Sequence, residues 1–352
     1  GTFPISPIKG KTLFQLFSER LARFGERYGK PIPWYIMTSP ANDAATREFF
    51  AEHQYFGLLP AHVKFFSQGM MPSFGLDGKL LLASKHSLAL SPDGHGGSLL
   101  ALHKSGALAD MAARGIQHIS YFQVDNPLVS VVSPLFLGLH DLQGAEMSNR
   151  MLSKTGPFEK LGCFCLSGGR LQIIEYSDLP ESLATLTDAQ GRLRYIAGSP
   201  AIHVLRRDFV ERLNAGHFQL PFHRAVKKVP CVDATGALVN PAQANGIKLE
   251  TFVFDALPLA RQSLILEAVR EQEFAPVKNP SGVDSVESCQ ALMQEEAARW
   301  LAGRGVTVPR DSAGKLACRL EISPRRYADE ADFAAAPLAG VSPVPGADLL
   351  FE

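Results

Sequence analysis

The first seventy residues alternate between two hydrophobic periods, and this alternation constrains the fold more than any other feature. Residues 11–28 carry apolar side chains at positions 13, 14, 17, 21 and 24, a 3.6-residue spacing that predicts an amphipathic helix. Residues 33–38 (Pro-Trp-Tyr-Ile-Met-Thr) read as a strand, residues 42–53 as a helix with Asn42 at its N-cap, and residues 63–68 as a second strand. Helices and strands in that order require crossover connections, which are right-handed and build parallel sheets. The expected class is therefore α/β: a mixed, mostly parallel, Rossmann-like sheet flanked by helices.

Further along, the pattern turns antiparallel. Residues 161–166 and 171–176 are strands around a turn at Ser167-Gly168-Gly169-Arg170, and residues 202–205 are a strand leading into a helix at 207–213. Residues 251–255 (Thr-Phe-Val-Phe-Asp) read as a strand with Phe252 and Phe254 on one face. A helix at 288–301 follows, and the Gly- and Pro-containing tail reads as a small β-rich appendage. The expected organisation is a main domain over 1–280, a connecting helix over 281–302 and a small domain over 303–352.

Composition bounds the partners. Lys plus Arg and Asp plus Glu are equal at 35 each, so bulk charge argues for neither nucleic acid nor membrane. No apolar run approaches the roughly 18 residues of a membrane span. Cys163, Cys165, Cys231, Cys289 and Cys318 are odd in number and lack zinc spacing, which reads as reduced thiols in a cytoplasmic protein.

Two stretches carry chemistry. Ser91-Pro92-Asp93-Gly94-His95-Gly96-Gly97 is too glycine-rich for a strand or a helix interior and opens into an apolar helix start at Ser98. Such a turn can present backbone N–H groups to a polar or anionic ligand. Residues 121–126 (Tyr-Phe-Gln-Val-Asp-Asn) read as a buried strand ending in an acid. Ligands of open α/β sheets bind at the carboxyl ends of strands, so Asp125 and the glycine turn belong on one rim.

With these runs stand Pro33-Trp34-Tyr35-Ile36-Met37-Thr38-Ser39, Phe66-Ser67-Gln68-Gly69-Met70, Glu175-Tyr176-Ser177, Asn245-Gly246-Ile247-Lys248, Phe252-Val253-Phe254-Asp255, Pro276-Val277-Lys278-Asn279 and Glu321-Ile322-Ser323-Pro324. In this order they resemble the eukaryotic-type UDP-N-acetylhexosamine pyrophosphorylases of the UDP-sugar pyrophosphorylase superfamily. The resemblance implies a nucleotidyltransferase fold and transfer of uridylyl from UTP to a sugar 1-phosphate, N-acetylglucosamine 1-phosphate first, with pyrophosphate released. It implies Mg²⁺ (or Mn²⁺) as cofactor and a monomer or weak homodimer.

The resemblance also assigns roles. Gln68 and Gly94 match uracil-reading positions. Asp125 matches the aspartate at the metal and nucleotide phosphates. Lys248 matches a lysine on the UTP phosphates, and Lys278 one on the sugar-phosphate side. Asp125, Lys248 and Lys278 thus form the expected catalytic set. His95, Gly162, Glu175, Tyr176, Ser199, Phe252, Phe254 and Lys278 are the expected sugar-side residues.

Three departures bear on these expectations. The family's Gly-rich phosphate loop does not occur in this sequence; Gly1 matches the end of the Pro-Lys-Gly that follows it. The reading therefore expects the longer parent to be the enzyme and this piece to be inactive or nearly so. His95 stands where hexosamine-specific members carry Asn, and Ser199-Pro200 where they carry a sugar-contacting Asn. Glucose 1-phosphate, or a broad sugar range, is the alternative substrate. A non-catalytic UDP-sugar-binding protein is the alternative from another class.

Overall fold

The computed structural model describes residues 1–216 and 219–352. Its first helix, α1 (Leu13–Tyr28), starts where the Thr12 hydroxyl accepts from the Gln15 N–H and stops at Gly29, whose φ is 65°. The face predicted from the 3.6-residue spacing is buried: Leu13, Phe17, Leu21 and Phe24. Strands β1 (Trp34–Thr38) and β2 (Val63–Ser67) pair in parallel around α2 (Asp43–Glu52), the expected crossover. Asn42 holds the N-cap position of α2 but makes no side-chain bond to the helix; its Oδ1 accepts from the Ser39 N–H at 2.7 Å.

Helices α3 (Gly97–Lys104) and α4 (Ala107–Ala113) then lead to β3 (His118–Tyr121). Helix α5 (Pro134–Leu142) is capped by the Ser133 hydroxyl and ends before Gly144, as its sequence predicts. After it come β4 (Met147–Ser153), β5 (Gly162–Ser167), β6 (Arg170–Ile174), β7 (Ala197–Ser199), β8 (His203–Arg206) and α6 (Arg207–Asn214). The chain continues with β9 (His223–Lys227), β10 (Gly246–Glu250), β11 (Ser263–Glu267), α7 (Val286–Gly303), β12 (Arg319–Ile322) and β13 (Asp348–Phe351).

The largest sheet has seven strands in the order β6-β5-β7-β4-β8-β3, with β11 added to β4. The class is the expected mixed α/β, but the sheet is less parallel than predicted: five of its six ladders are antiparallel and only β11–β4 is parallel. The tight turn at 167–170 can join only antiparallel neighbours, and it sets the direction of that half of the sheet. Strands β7 and β8 both lie along β4, separated by Pro200, which has no N–H to pair, and Ala201, whose φ is 56°. On their far side the sheet forks, with β5 beyond β7 and β3 beyond β8.

One core cluster packs this sheet against α3, α4 and α6 through Leu99, Leu108, Met111, Met147, Leu205 and Phe209. Helix α7 contributes Cys289 to a second cluster around Phe17 and Leu128, and Ala298 and Leu301 to a third around Leu320 and Phe333. No helix of the described residues is long and apolar enough to cross a membrane.

Three local expectations are corrected. The strand expected over 121–126 ends at Tyr121, and Asp125 sits in the turn beyond it. Beyond it the Asn126 side-chain amide ties the turn to the 273–275 segment, donating to Glu273 O at 2.7 Å and accepting from the Ala275 N–H at 2.9 Å. No strand forms over 251–255: β10 lies just before it and ends at Glu250, and Val253–Leu259 is a 3₁₀ segment. The Thr251 N–H turns to Asp93 O at 2.8 Å and the Val253 N–H to His95 Nδ1 at 3.2 Å, so neither is free for a ladder. The tail expected to be β-rich holds one two-stranded parallel sheet, β12 with β13, and a helical turn, Glu330–Phe333; the rest is loop.

Candidate active site

Residues opposite each other in a ladder share a face of the sheet. Gly162 of β5 lies opposite Ser199 of β7, and Glu175 follows Ile174, the partner of Cys163. Glu175, Gly162 and Ser199 therefore form one row across three strands, and Glu175 Oε2 is 3.6 Å from where a Cβ on Gly162 would sit. A second row on the same face is Tyr121, His203 and Asn149. This part of the face is polar, whereas farther along the strands it carries Met147, Phe164, Ile173 and Leu205 into the core. Ser199 Oγ, Asn149 Nδ2 and His203 Nε2 are buried with no partner among the described residues, so the floor holds unused hydrogen-bonding capacity.

The glycine turn closes one side. Gly96 N–H donates to Thr251 O at 2.8 Å, and a Cβ on Gly96 would lie 2.6 Å from Phe252 N. Close backbone approach, rather than an open cradle, requires glycine here. Gly97 and Ser98 N–H groups bond back within the turn, which leaves those of Gly94 and His95 without a backbone partner among the described residues. His95 Nδ1 accepts from Val253, so the ring proton is on Nε2. Burial first, then the nearby His223, pushes its pKa down to about 4, and the ring is a neutral donor at physiological pH. Phe252 and Phe254 lie 5.1 and 5.9 Å from the His95 ring.

Asp125 and Lys278 meet across the mouth, Oδ2 to Nζ at 3.7 Å. The Asp125 carbonyl accepts from the Val277 N–H at 2.9 Å, and with the Asn126 bonds this ties the 273–278 segment to the turn after β3. Burial raises the Asp125 pKa, and Lys278 opposes it.

At the far end, acids gather around one histidine. His223 Nδ1 is 2.8 Å from Asp178 Oδ2, and its Nε2 is 2.9 Å from Asp255 Oδ2. Burial works to lower the His223 pKa, but the two carboxylates win and raise it. Glu175 is pushed up from its usual 4.5 to about 7 by burial, then by Asp178, with Asp255 and Glu250 adding to it and His223 opposing. In the window from about 4.5 to about 7 the folded chain holds this proton more tightly than the unfolded chain, so the Glu175 contribution to stability declines as pH rises. Thermal melts of wild type and Glu175→Gln are expected to diverge in that sense across the window, the variant gaining on wild type with rising pH. Parallel curves would show that the carboxyl is not held protonated.

The structure brings Asp125 to Lys278, His95 to Phe252 and Phe254, and Glu175 to Gly162 in line with Ser199. Gln68 follows β2, its N–H bonded to Thr38 O, and Lys248 sits on β10 opposite Ala225; the side chains of Gln68, Lys248 and Tyr176 enter no hydrogen bond or ion pair among the described residues. Tyr176 is exposed. Sequence reasoning missed His223 and Asp178, which stand in no motif, and gave Asp255 and Asp93 no role. The Asp93 carboxylate fills the space beside Gly69 and Gly97, and its buried Oδ1 has no hydrogen-bond partner among the described residues.

Among the described residues no group of three or more His, Cys, Asp and Glu side chains is placed to hold a metal. Asp125 offers a hard carboxylate oxygen beside Lys278, with the Asp284 carboxylate near enough to oppose its ionisation. One carboxylate fits Mg²⁺, which keeps waters and completes its shell with substrate phosphates, better than ions that need several protein ligands.

Residues 4–306 match the family described as UTP–glucose-1-phosphate uridylyltransferase. The chain belongs to this family. It is 39% identical to UDP-N-acetylhexosamine pyrophosphorylase-like protein 1 of Homo sapiens over 315 residues, 87% of this chain and 62% of that one. It is 37% identical to UDP-N-acetylglucosamine diphosphorylase 1 of Arabidopsis thaliana over 340 residues, 92% of this chain and 66% of that one. The chain thus spans just under two thirds of these relatives. A crystal structure from Entamoeba histolytica superposes with a TM-score of 0.86 at 30% identity, covering 100% of this chain and 88% of that one. The resemblance seen in the ordered motifs is thereby established at the level of the family.

Proposed function

We propose that the protein of which this chain is part transfers uridylyl from UTP to a sugar 1-phosphate, with N-acetylglucosamine 1-phosphate as the preferred acceptor. The observation that carries the reading is the Asp125–Lys278 pair, an ammonium and a carboxylate 3.7 Å apart, which supports a site where a cation meets phosphate and a hard oxygen can take a metal ion. A phosphate oxygen of the sugar phosphate attacks the α-phosphorus of UTP in line. The new P–O bond forms as the bond to the bridging oxygen breaks, and pyrophosphate leaves with its electron pair. Little covalent chemistry falls to the protein, so positioning and charge neutralisation do the work.

Lys278 meets the sugar phosphate and Lys248 the nucleotide phosphates; Gln68 and the Gly94 backbone read the uracil edge. Glu175 accepts from sugar hydroxyls, and Phe252 and Phe254 pack on the ring. The His95 Nε2–H and the Ser199 hydroxyl are donors for the substituent that separates glucose from N-acetylglucosamine. Asp125 would hold Mg²⁺, which when bound offsets the charge that develops on the phosphates.

The test is pyrophosphate release by the full-length protein with UTP and Mg²⁺, comparing N-acetylglucosamine 1-phosphate with glucose 1-phosphate. Preference for the amino sugar supports the proposal, and preference for glucose moves the assignment to that sugar. Binding of UDP-sugar without release from either acceptor overturns catalysis in favour of a binding role. Because Glu175 must be ionised to accept, sugar-phosphate KM is expected to rise as pH falls below about 7 while UTP KM stays flat. A flat profile for both would remove Glu175 from the sugar site.

A further inference from the structure

We infer that His223 is a positioning residue of the sugar pocket, tying the turn that carries Glu175 to the turn that carries Phe252 and Phe254. The inference rests on the reading of this pocket as the sugar 1-phosphate site.

The two turns belong to different parts of the chain, one after β6 and the other after β10. His223, on β9, reaches both. Carboxylates only accept, so a ring bonded to Asp178 and Asp255 at once must donate from both nitrogens, and the doubly bonded state is the imidazolium. From each aspartate one further bond, made by its backbone N–H, leads to the pocket. The Asp178 N–H donates to Glu175 O at 2.9 Å, and the Asp255 N–H donates to Phe252 O at 3.1 Å. The His223 ring also packs on Phe252, with centroids 4.6 Å apart. The hydroxyl-accepting acid and the aromatic wall are thus set apart by one ring and two short chains of hydrogen bonds.

The charge matters as much as the span. The groups facing His223 are Asp178, Asp255, Glu175 and Glu250, with neutral His95 behind Phe252. The imidazolium is the cation set among these carboxylates. If it loses its proton, one carboxylate loses its donor, and the acids that the ring held together are left to repel one another. A neutral His223 therefore loosens the tie between the Glu175 turn and the aromatic wall, while Gln68, beyond β2, makes no hydrogen bond with either turn among the described residues.

The experiment measures binding of UDP-N-acetylglucosamine and of UDP to the full-length protein by calorimetry from pH 6 to 8.5, below the ionisation of the uracil N3–H, in wild type, His223→Gln and Asp178→Asn. Wild type is expected to lose the sugar-dependent part of its affinity at the alkaline end, with UDP binding unchanged. His223→Gln keeps an amide donor but no charge. It is expected to weaken UDP-N-acetylglucosamine binding about tenfold or more at pH 7.5, to leave UDP alone and to lack the alkaline limb. Asp178→Asn, the milder change, is expected to cost several-fold in the same direction. The imidazole nitrogen shifts of His223 in wild type should report both nitrogens protonated at neutral pH.

Equal losses for UDP and UDP-sugar in His223→Gln, an alkaline limb that persists in that variant, or a neutral ring at pH 7 would each overturn the inference. If His223→Gln does not fold, the wild-type alkaline limb and Asp178→Asn decide, and a flat wild-type profile overturns it. Wild type that binds UDP-N-acetylglucosamine no better than UDP would instead sink the reading of the pocket itself, even with His223 charged.

Discussion

Asp125→Asn in the full-length protein is expected to lower pyrophosphate release on the order of 10²–10⁴-fold, the range that several kcal/mol of lost phosphate charge stabilisation corresponds to. The stability of the variant should not fall with it. Burial raises the Asp125 pKa, so its ionised form is held against a desolvation cost that a neutral amide of the same shape does not carry. The Lys278 ammonium left behind is half-exposed, with 45% of its side chain accessible, and water can take over its solvation. The expected pair of results is near-complete loss of turnover with a melting temperature equal to or above wild type. A melting temperature that drops with activity would mean that Asp125 serves the 273–278 segment rather than the phosphates. Its main-chain bond to Val277 survives the substitution and controls for that possibility.

How much of this was legible in the sequence depends on how local the cause is. The α1 stripe and the β1-α2-β2 crossover were legible because their periodicity is set within a dozen residues. The Asp125 region was legible as a motif but misread as a strand, since the turn that holds it is fixed by the Asn126 side-chain amide bonding to residues about 150 positions away. The row of Glu175, Gly162 and Ser199 depends on the register of three strands, and the fork beside it depends on Pro200 and Ala201 breaking one strand into two. Neither leaves a periodic trace. His223 left none at all, because a single histidine acquires its meaning only when two distant turns bring aspartates to both of its nitrogens.

The largest expected loss of stability is at the glycine turn, and it separates steric from conformational causes. Gly96→Ala places a Cβ 2.6 Å from Phe252 N and 2.6 Å from Thr251 C, both backbone atoms that cannot swing away. Relief requires the 251–253 segment to move, which breaks the Gly96–Thr251 and Val253–His95 bonds and disturbs buried Val253 and Phe254. Overpacking alone costs about 1–3 kcal/mol, and the lost hydrogen bonds add to it, so a loss of about 3 kcal/mol or more is expected in urea denaturation. Gly94→Ala adds backbone strain at φ 85° to a contact of 2.4 Å with Thr251 O and should be at least as severe. Gly106→Ala is the control: its φ is 78°, but nothing lies within 4 Å of the new Cβ, so only the left-handed backbone term of about 1–2 kcal/mol applies. If all three variants lose the same amount, close packing of the turn on residues 251–252 is not what its glycines are for. If Gly94 and Gly96 lose well beyond Gly106, His95, Phe252 and Phe254 owe their placement to two positions that cannot bear a side chain.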